Sequence, residues 1–117
     1  MTDNVDIENI TIMDKGEALK IARAYIDSIS TRYSIKQAIL FGSFVKGTNH
    51  KDSDIDITII INNIVDIIDT QIEMMKLRRK IDLRIEPHPF MVSDFNQSNP
   101  VFNEILKYGI TIDKKLN

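Results

Sequence analysis

Eight residues, Asp54-Ile55-Asp56-Ile57-Thr58-Ile59-Ile60-Ile61, constrain the fold more than any other stretch of the chain. They alternate at first and then run apolar, and all the uncharged ones are β-branched. Such side chains are stiff at χ1 and suit a pleated surface, so the segment reads as a strand. Asp54 and Asp56 are two apart and therefore share one face of it. A second short apolar run, Gln37-Ala38-Ile39-Leu40-Phe41, is stopped by Gly42 and reads as a buried strand. Between the two, Gly42 to Ser53 is glycine-containing and polar, mostly loop with room for one helical turn.

The remaining segments carry helical spacing or alternation. Asp14 and Glu17 have the spacing of a capping box, and Ala18, Ala22, Tyr25 and Ile29 follow at helical intervals, predicting a helix over about 15–30. Asn62 or Asn63 can cap a second helix with Ile64, Ile68, Ile72 and Met75 as its apolar stripe, ending in the basic run 76–80. Ile81-Asp82-Leu83-Arg84-Ile85-Glu86 alternates and meets Pro87, which predicts a third strand ending there. Asn99-Pro100 has the form of an N-cap with proline at N1, and Gly109 is placed to close that last helix. The order α-β-loop-β-α-β-α predicts an α/β class with a small sheet and helices packed on it. Residues 1–13 are expected to form an arm, and 14–117 a single domain.

Composition narrows the function. With 15 basic and 17 acidic residues the net charge is −2, which argues against broad nucleic-acid binding. There is no cysteine, so disulfides, thiolate zinc sites and cysteine nucleophiles are excluded. The start, Met1-Thr2-Asp3-Asn4, lacks the basic and apolar regions of a signal peptide, and the longest apolar runs are too short to span a bilayer. The expected location is cytoplasmic, without membrane association.

The chemistry concentrates in two places. Two carboxylates held on one rigid strand face repel each other, a cost that a divalent cation between them removes; hard oxygen ligands suit Mg²⁺. If the helical crossover makes the second and third strands parallel, Asp82 arrives beside Asp56, whereas Glu86 lies roughly 13 Å further along. Asp82 is therefore the expected third ligand. The other part is Gly42-Ser43: glycine permits close backbone approach to phosphate and the serine hydroxyl adds a donor.

Gly42-Ser43, ten intervening residues, then Asp54-Ile55-Asp56 resembles the signature of the polymerase β-like nucleotidyltransferase superfamily, and the chain is most similar to its minimal nucleotidyltransferase group. The segments 81–90 and 104–110 are also similar to stand-alone members. The resemblance implies the polymerase β-like fold, with a small mixed sheet. It implies that Gly42 and Ser43 hold the β and γ phosphates, with Lys46 where many relatives have arginine. It implies that Asp54, Asp56 and Asp82 bind two Mg²⁺ and are catalytic, with Asp82 helping to deprotonate an acceptor hydroxyl. The implied reaction transfers a nucleoside monophosphate, AMP from ATP or another triphosphate, and releases pyrophosphate. Small members are often paired with a separately encoded HEPN protein in toxin–antitoxin modules, so a tyrosine of such a partner is one implied acceptor and a small hydroxylated molecule another. The alternative is a nucleotide- or partner-binding module with little catalysis.

Single features have plainer readings. Gly-Ser is commonly a turn, paired acids are commonly a solvated strand face, and the run 76–80 suits a helix C-terminus. His50 reads as a loop residue and His88, between two prolines, as structural.

Overall fold

The computed structural model describes residues 14–50, 52–96 and 98–112. The expected arm over 1–13 lies outside them. Helix α1 (Lys15–Ile29) is followed by β1 (Ile35–Phe41), the single-turn helix α2 (Ser43–Lys46) and β2 (Ile55–Ile61). Helix α3 (Ile67–Leu77) runs into a 3₁₀ turn (Arg78–Lys80), then come β3 (Ile85–Met91), a second 3₁₀ turn (Val92–Asp94), α4 (Pro100–Tyr108) and β4 (Ile110–Thr111).

The four strands form one mixed sheet in the order β3-β2-β1-β4. The β1–β2 and β1–β4 pairs are antiparallel, and the α3 crossover makes β2 and β3 parallel. Both faces are covered. On one, Ala18, Ala22, Tyr25, Ile26 and Ile29 of α1 and Met74 of α3 pack against Ala38, Leu40, Ile55, Ile57, Ile59 and Ile61. On the other, Phe102 and Ile105 of α4 cover Ile39, with Phe41, Phe90 and Phe95 around them. Burying a large aliphatic side chain contributes roughly 1.5–3 kcal/mol, so the isoleucines of β2 anchor the layer under α1 and α3. Tyr25 ties the helices together: its buried hydroxyl donates to the Met74 carbonyl at 2.8 Å, and burial pushes its pKa upward.

Several caps form as the sequence predicts. Asp14 accepts from the Glu17 amide at 2.8 Å and Asn99 from the Val101 amide at 2.9 Å. Gly109 follows α4 as expected but with φ −72, outside the left-handed region. Its requirement is space, because a Cβ there would collide with Ile39 Cγ2 and sit 2.5 Å from the Ile105 carbonyl oxygen.

Two predicted elements differ. Helix α3 starts later than Asn62 or Asn63 would allow, because Asp66 caps it by accepting from the Ile68 and Asp69 amides. Its buried position is Met74, while Ile68 and Ile72 of the predicted stripe are 68% and 50% exposed. The third strand begins at Ile85, leaving Ile81 to Arg84 in the connection, and it continues through Pro87 and Pro89. Proline is tolerated here because β3 is an edge strand. The Arg84 carbonyl accepts from the Ile55 amide of β2, so by alternation residues 85, 87 and 89 turn their backbone groups to the free edge. Arg78 Nη1 and Gln71 Nε2 donate to the outward carbonyls of Ile85 and Pro87 at 2.7 and 3.1 Å. The edge is thus covered, which limits pairing with another chain.

Candidate functional site

Gly42 ends β1 in a conformation that only glycine adopts readily, φ +85 and ψ −151. Its carbonyl accepts from the amides of Val45 and Lys46, starting the α2 turn, and Ser43 is the first residue of that turn. The β1–β2 ladder sets Phe41 opposite Asp56. A side chain on Gly42 would place its Cβ 2.5 Å from Asp56 Oδ2. The predicted phosphate turn and Asp56 of the predicted acidic pair therefore meet through the missing side chain of Gly42.

Asp54 is exposed just before β2 and Asp56 is half-buried on it. Ser53, buried at the strand entry, fixes the preceding loop: its hydroxyl accepts from the His50 amide at 2.8 Å and its amide donates to the His50 carbonyl at 3.0 Å. Asp52 N donates to His50 Nδ1 at 3.3 Å, so this histidine organises its own turn.

Across the parallel β2–β3 ladder, Asp56 stands opposite Glu86 and Thr58 opposite His88. Asp56, Glu86, Thr58 and His88 consequently share a face, and His88 Nε2 lies 3.2 Å from Asp56 Oδ1. The Phe41 ring meets the His88 ring edge-on at 5.2 Å. Arg78 Nη1 approaches Glu86 at 3.7 Å. Below this row the Thr58 hydroxyl is fully buried and finds no partner among the described residues.

Asp82 is not brought beside Asp56. It lies in the turn before β3 and binds Arg84 through two contacts, Arg84 Nε to Oδ1 at 3.0 Å and Nη2 to Oδ2 at 2.7 Å. The Arg84 amide adds a third bond to Oδ1 at 2.9 Å. The Arg84 side chain holds the Asp82 carboxyl below the usual range, against an opposing effect of burial. The expected position of Asp82 followed from starting the strand at Ile81. With the strand starting at Ile85, Glu86 takes that position, and the parallel direction stands as expected. The signal for Glu86 and His88 was the every-second-residue placement of Pro87 and Pro89, which suits a strand with one protected edge. Lys46 Nζ pairs with Glu104 of α4 at 3.1 Å.

The donor chemistry suits a hard divalent cation: Asp56 and Glu86 offer carboxylate oxygens from adjacent strands and Asp54 one from just before β2, and Gly42 leaves room against Asp56 Oδ2. Among the described residues, no three acidic or histidine side chains already converge on one point.

The profile of the family described as polymerase beta, nucleotidyltransferase matches residues 24–115. No curated protein sequence matches the chain. Among solved structures, a candidate nucleotidyltransferase from Sulfolobus solfataricus superposes with a TM-score of 0.61 at 18% identity, over 86% of this chain and 84% of that one. A chain of a toxin–antitoxin structure with AMP-PNP matches with a TM-score of 0.52 at 22% identity, over 88% and 75% of the two chains. A variant of the toxin–antitoxin MntA–HpeT matches with a TM-score of 0.51 at 19% identity, over 88% and 75%. At these identities the likenesses establish the fold.

Proposed function

The chain belongs to the polymerase beta nucleotidyltransferase family, and on that premise we propose that it transfers a nucleoside monophosphate, AMP from ATP, to a hydroxyl acceptor. The observation that carries this reading is the 2.5 Å separation between a Cβ at Gly42 and Asp56 Oδ2, which puts a glycine-serine turn directly against the acidic strand.

In this reading Gly42 lets the phosphate chain approach the backbone and the Ser43 hydroxyl donates to a β- or γ-phosphate oxygen. Asp54, Asp56 and Glu86 would hold divalent cations, which would supply neutralisation of phosphate charge and stabilisation of the attacking and leaving oxygens. His88 Nε2 holds Asp56 Oδ1 in place from the second layer, a role that commonly governs how well a carboxylate binds metal. The Glu86 carboxylate accepts the proton of the acceptor hydroxyl. The acceptor oxygen forms a bond to the α-phosphorus in line with the bond that breaks, and pyrophosphate departs. Asp82 takes no part in this step and fixes Arg84 at the entry of β3.

The acceptor we favour is a tyrosine on a separately encoded HEPN protein. Two of the structures with this fold belong to toxin–antitoxin assemblies. The test is incubation with α-labelled ATP, Mg²⁺ and the product of the adjacent gene. Labelled partner and released pyrophosphate are expected; ATP turnover only onto small hydroxylated molecules would remove the protein acceptor.

A further inference from the structure

The basic run 76–80 divides in the structure. Lys76, Arg79 and Lys80 are exposed, whereas Arg78 is half-buried at the first position of the 3₁₀ turn that follows α3. Its backbone carbonyl accepts from the amides of Ile81 and Asp82, both at 2.9 Å, which closes that turn. Its side chain reaches the free edge of β3, where Nη1 donates to the Ile85 carbonyl at 2.7 Å. The same Nη1 lies 3.7 Å from Glu86 Oε2, beyond a hydrogen bond but within ion-pair range. The guanidinium is thus fixed on the backbone of the residue next to Glu86.

Covering the edge does not need a charge. Gln71 covers the next outward carbonyl with a neutral amide, Nε2 to the Pro87 oxygen at 3.1 Å. Desolvating a guanidinium is unfavourable, and Arg78 Nε is enclosed without a hydrogen-bond partner among the described residues. A side chain of the Gln71 kind would serve the edge with less desolvation. What the arginine adds is a cation beside Glu86, whose long side chain is partly exposed and has several rotatable bonds to fix. A general base acts only within hydrogen-bond reach of the proton it takes. A held conformation of Glu86 therefore matters more to the reaction than to the fold.

We propose that Arg78 is a positioning residue for the transfer reaction: anchored on the Ile85 carbonyl, its guanidinium holds the Glu86 carboxylate in the conformation that takes the acceptor proton. The assignment rests on the nucleotidyl-transfer reading, in which Glu86 is that base. Arg78 touches neither nucleotide nor acceptor and acts through Glu86 alone. It also ties the end of α3 to the carboxylate face, because the turn that it opens leads directly into β3.

The experiment measures single-turnover transfer from saturating α-labelled ATP in Mg²⁺ to the product of the adjacent gene, using the whole chain. Arg78→Gln keeps an amide donor and removes the charge, Arg78→Lys restores a cation, and Gln71→Leu removes the neighbouring edge donor as a control. Arg78→Gln should slow transfer by about 10–100-fold, the scale on which groups that orient a ligand carboxylate act. Its affinity for a non-hydrolysable ATP analogue, read by isothermal titration, should stay native. Arg78→Lys should recover the larger part of the rate, and Gln71→Leu should transfer at the native rate. In a Glu86→Gln background, Arg78→Gln should cause no further loss, because the group that it positions is gone. A native rate for Arg78→Gln, an equal loss for Gln71→Leu, or the same further loss in the Glu86→Gln background would each reduce Arg78 to an edge cover. A wild-type protein that neither labels the acceptor nor releases pyrophosphate would overturn the nucleotidyl-transfer reading itself, and this role with it.

Discussion

Asp56 and Glu86 face each other across the β2–β3 ladder, two residues before Thr58 and His88. Parallel pairing on one sheet face makes them neighbours, while Asp82 is committed to Arg84. Glu86→Gln is therefore expected to lower the single-turnover transfer rate at saturating nucleotide by at least about 100-fold, the lower range for a lost general base. Asp82→Asn should stay within about tenfold of the wild type. Reversal of that order would return the third carboxylate to Asp82.

Gly42→Ala should disable the site. The residue has φ +85 and ψ −151, and a Cβ would overlap Asp56 Oδ2 at 2.5 Å. Backbone strain of this kind costs about 1–3 kcal/mol, and relief of the overlap displaces the Asp56 carboxylate. Urea denaturation should register the stability loss, and nucleotide transfer should fall with it. A variant with native stability and native transfer would show that the turn and the acid move independently.

Ser43→Ala tests phosphate contact. Ser43 begins the α2 turn, and its side chain is half-buried. The expected loss in affinity for a triphosphate analogue with Mg²⁺ is about 1.5–3 kcal/mol, the range for a hydrogen bond to a charged group. The melting temperature should be nearly unchanged. Calorimetric titration showing equal affinity would leave Ser43 with a turn role alone.

Asp82 gives the acid limb of stability a defined sign. Its carboxyl is held below the ordinary range, first by the Arg84 side-chain hydrogen bonds. A depressed folded pKa stabilises fully above the unfolded value, about 3.9 for aspartate. That contribution is lost as pH falls from there through the lower folded value. Asp82→Asn should flatten the stability profile below about pH 5, where protonation of an ordinary aspartate begins. Denaturation curves of the two proteins at successive acidic pH values measure the difference; parallel curves would mean that the Arg84 pairing adds nothing.

Local chemistry determined much of this protein. The β-branched run defined β2, the capping residues Asp14 and Asn99 defined where α1 and α4 begin, and the Gly42-Ser43 to Asp54-Ile55-Asp56 spacing pointed to the site. These features are legible because they depend on neighbours within a few residues. Helix α3 was harder: its isoleucines lie around much of its surface, so periodicity alone did not select Met74 over Ile68 and Ile72 as the buried side. The short β4 carried no pattern of its own and exists through pairing with β1. The third strand shows the division most clearly. Pro87 and Pro89 are breakers by local rules, and they become acceptable only when position and parity turn them toward an edge covered by Gln71 and Arg78. Register with β2 is a non-local property, set where a long crossover brings two strands together. Tertiary structure therefore decided that Glu86 rather than Asp82 stands opposite Asp56.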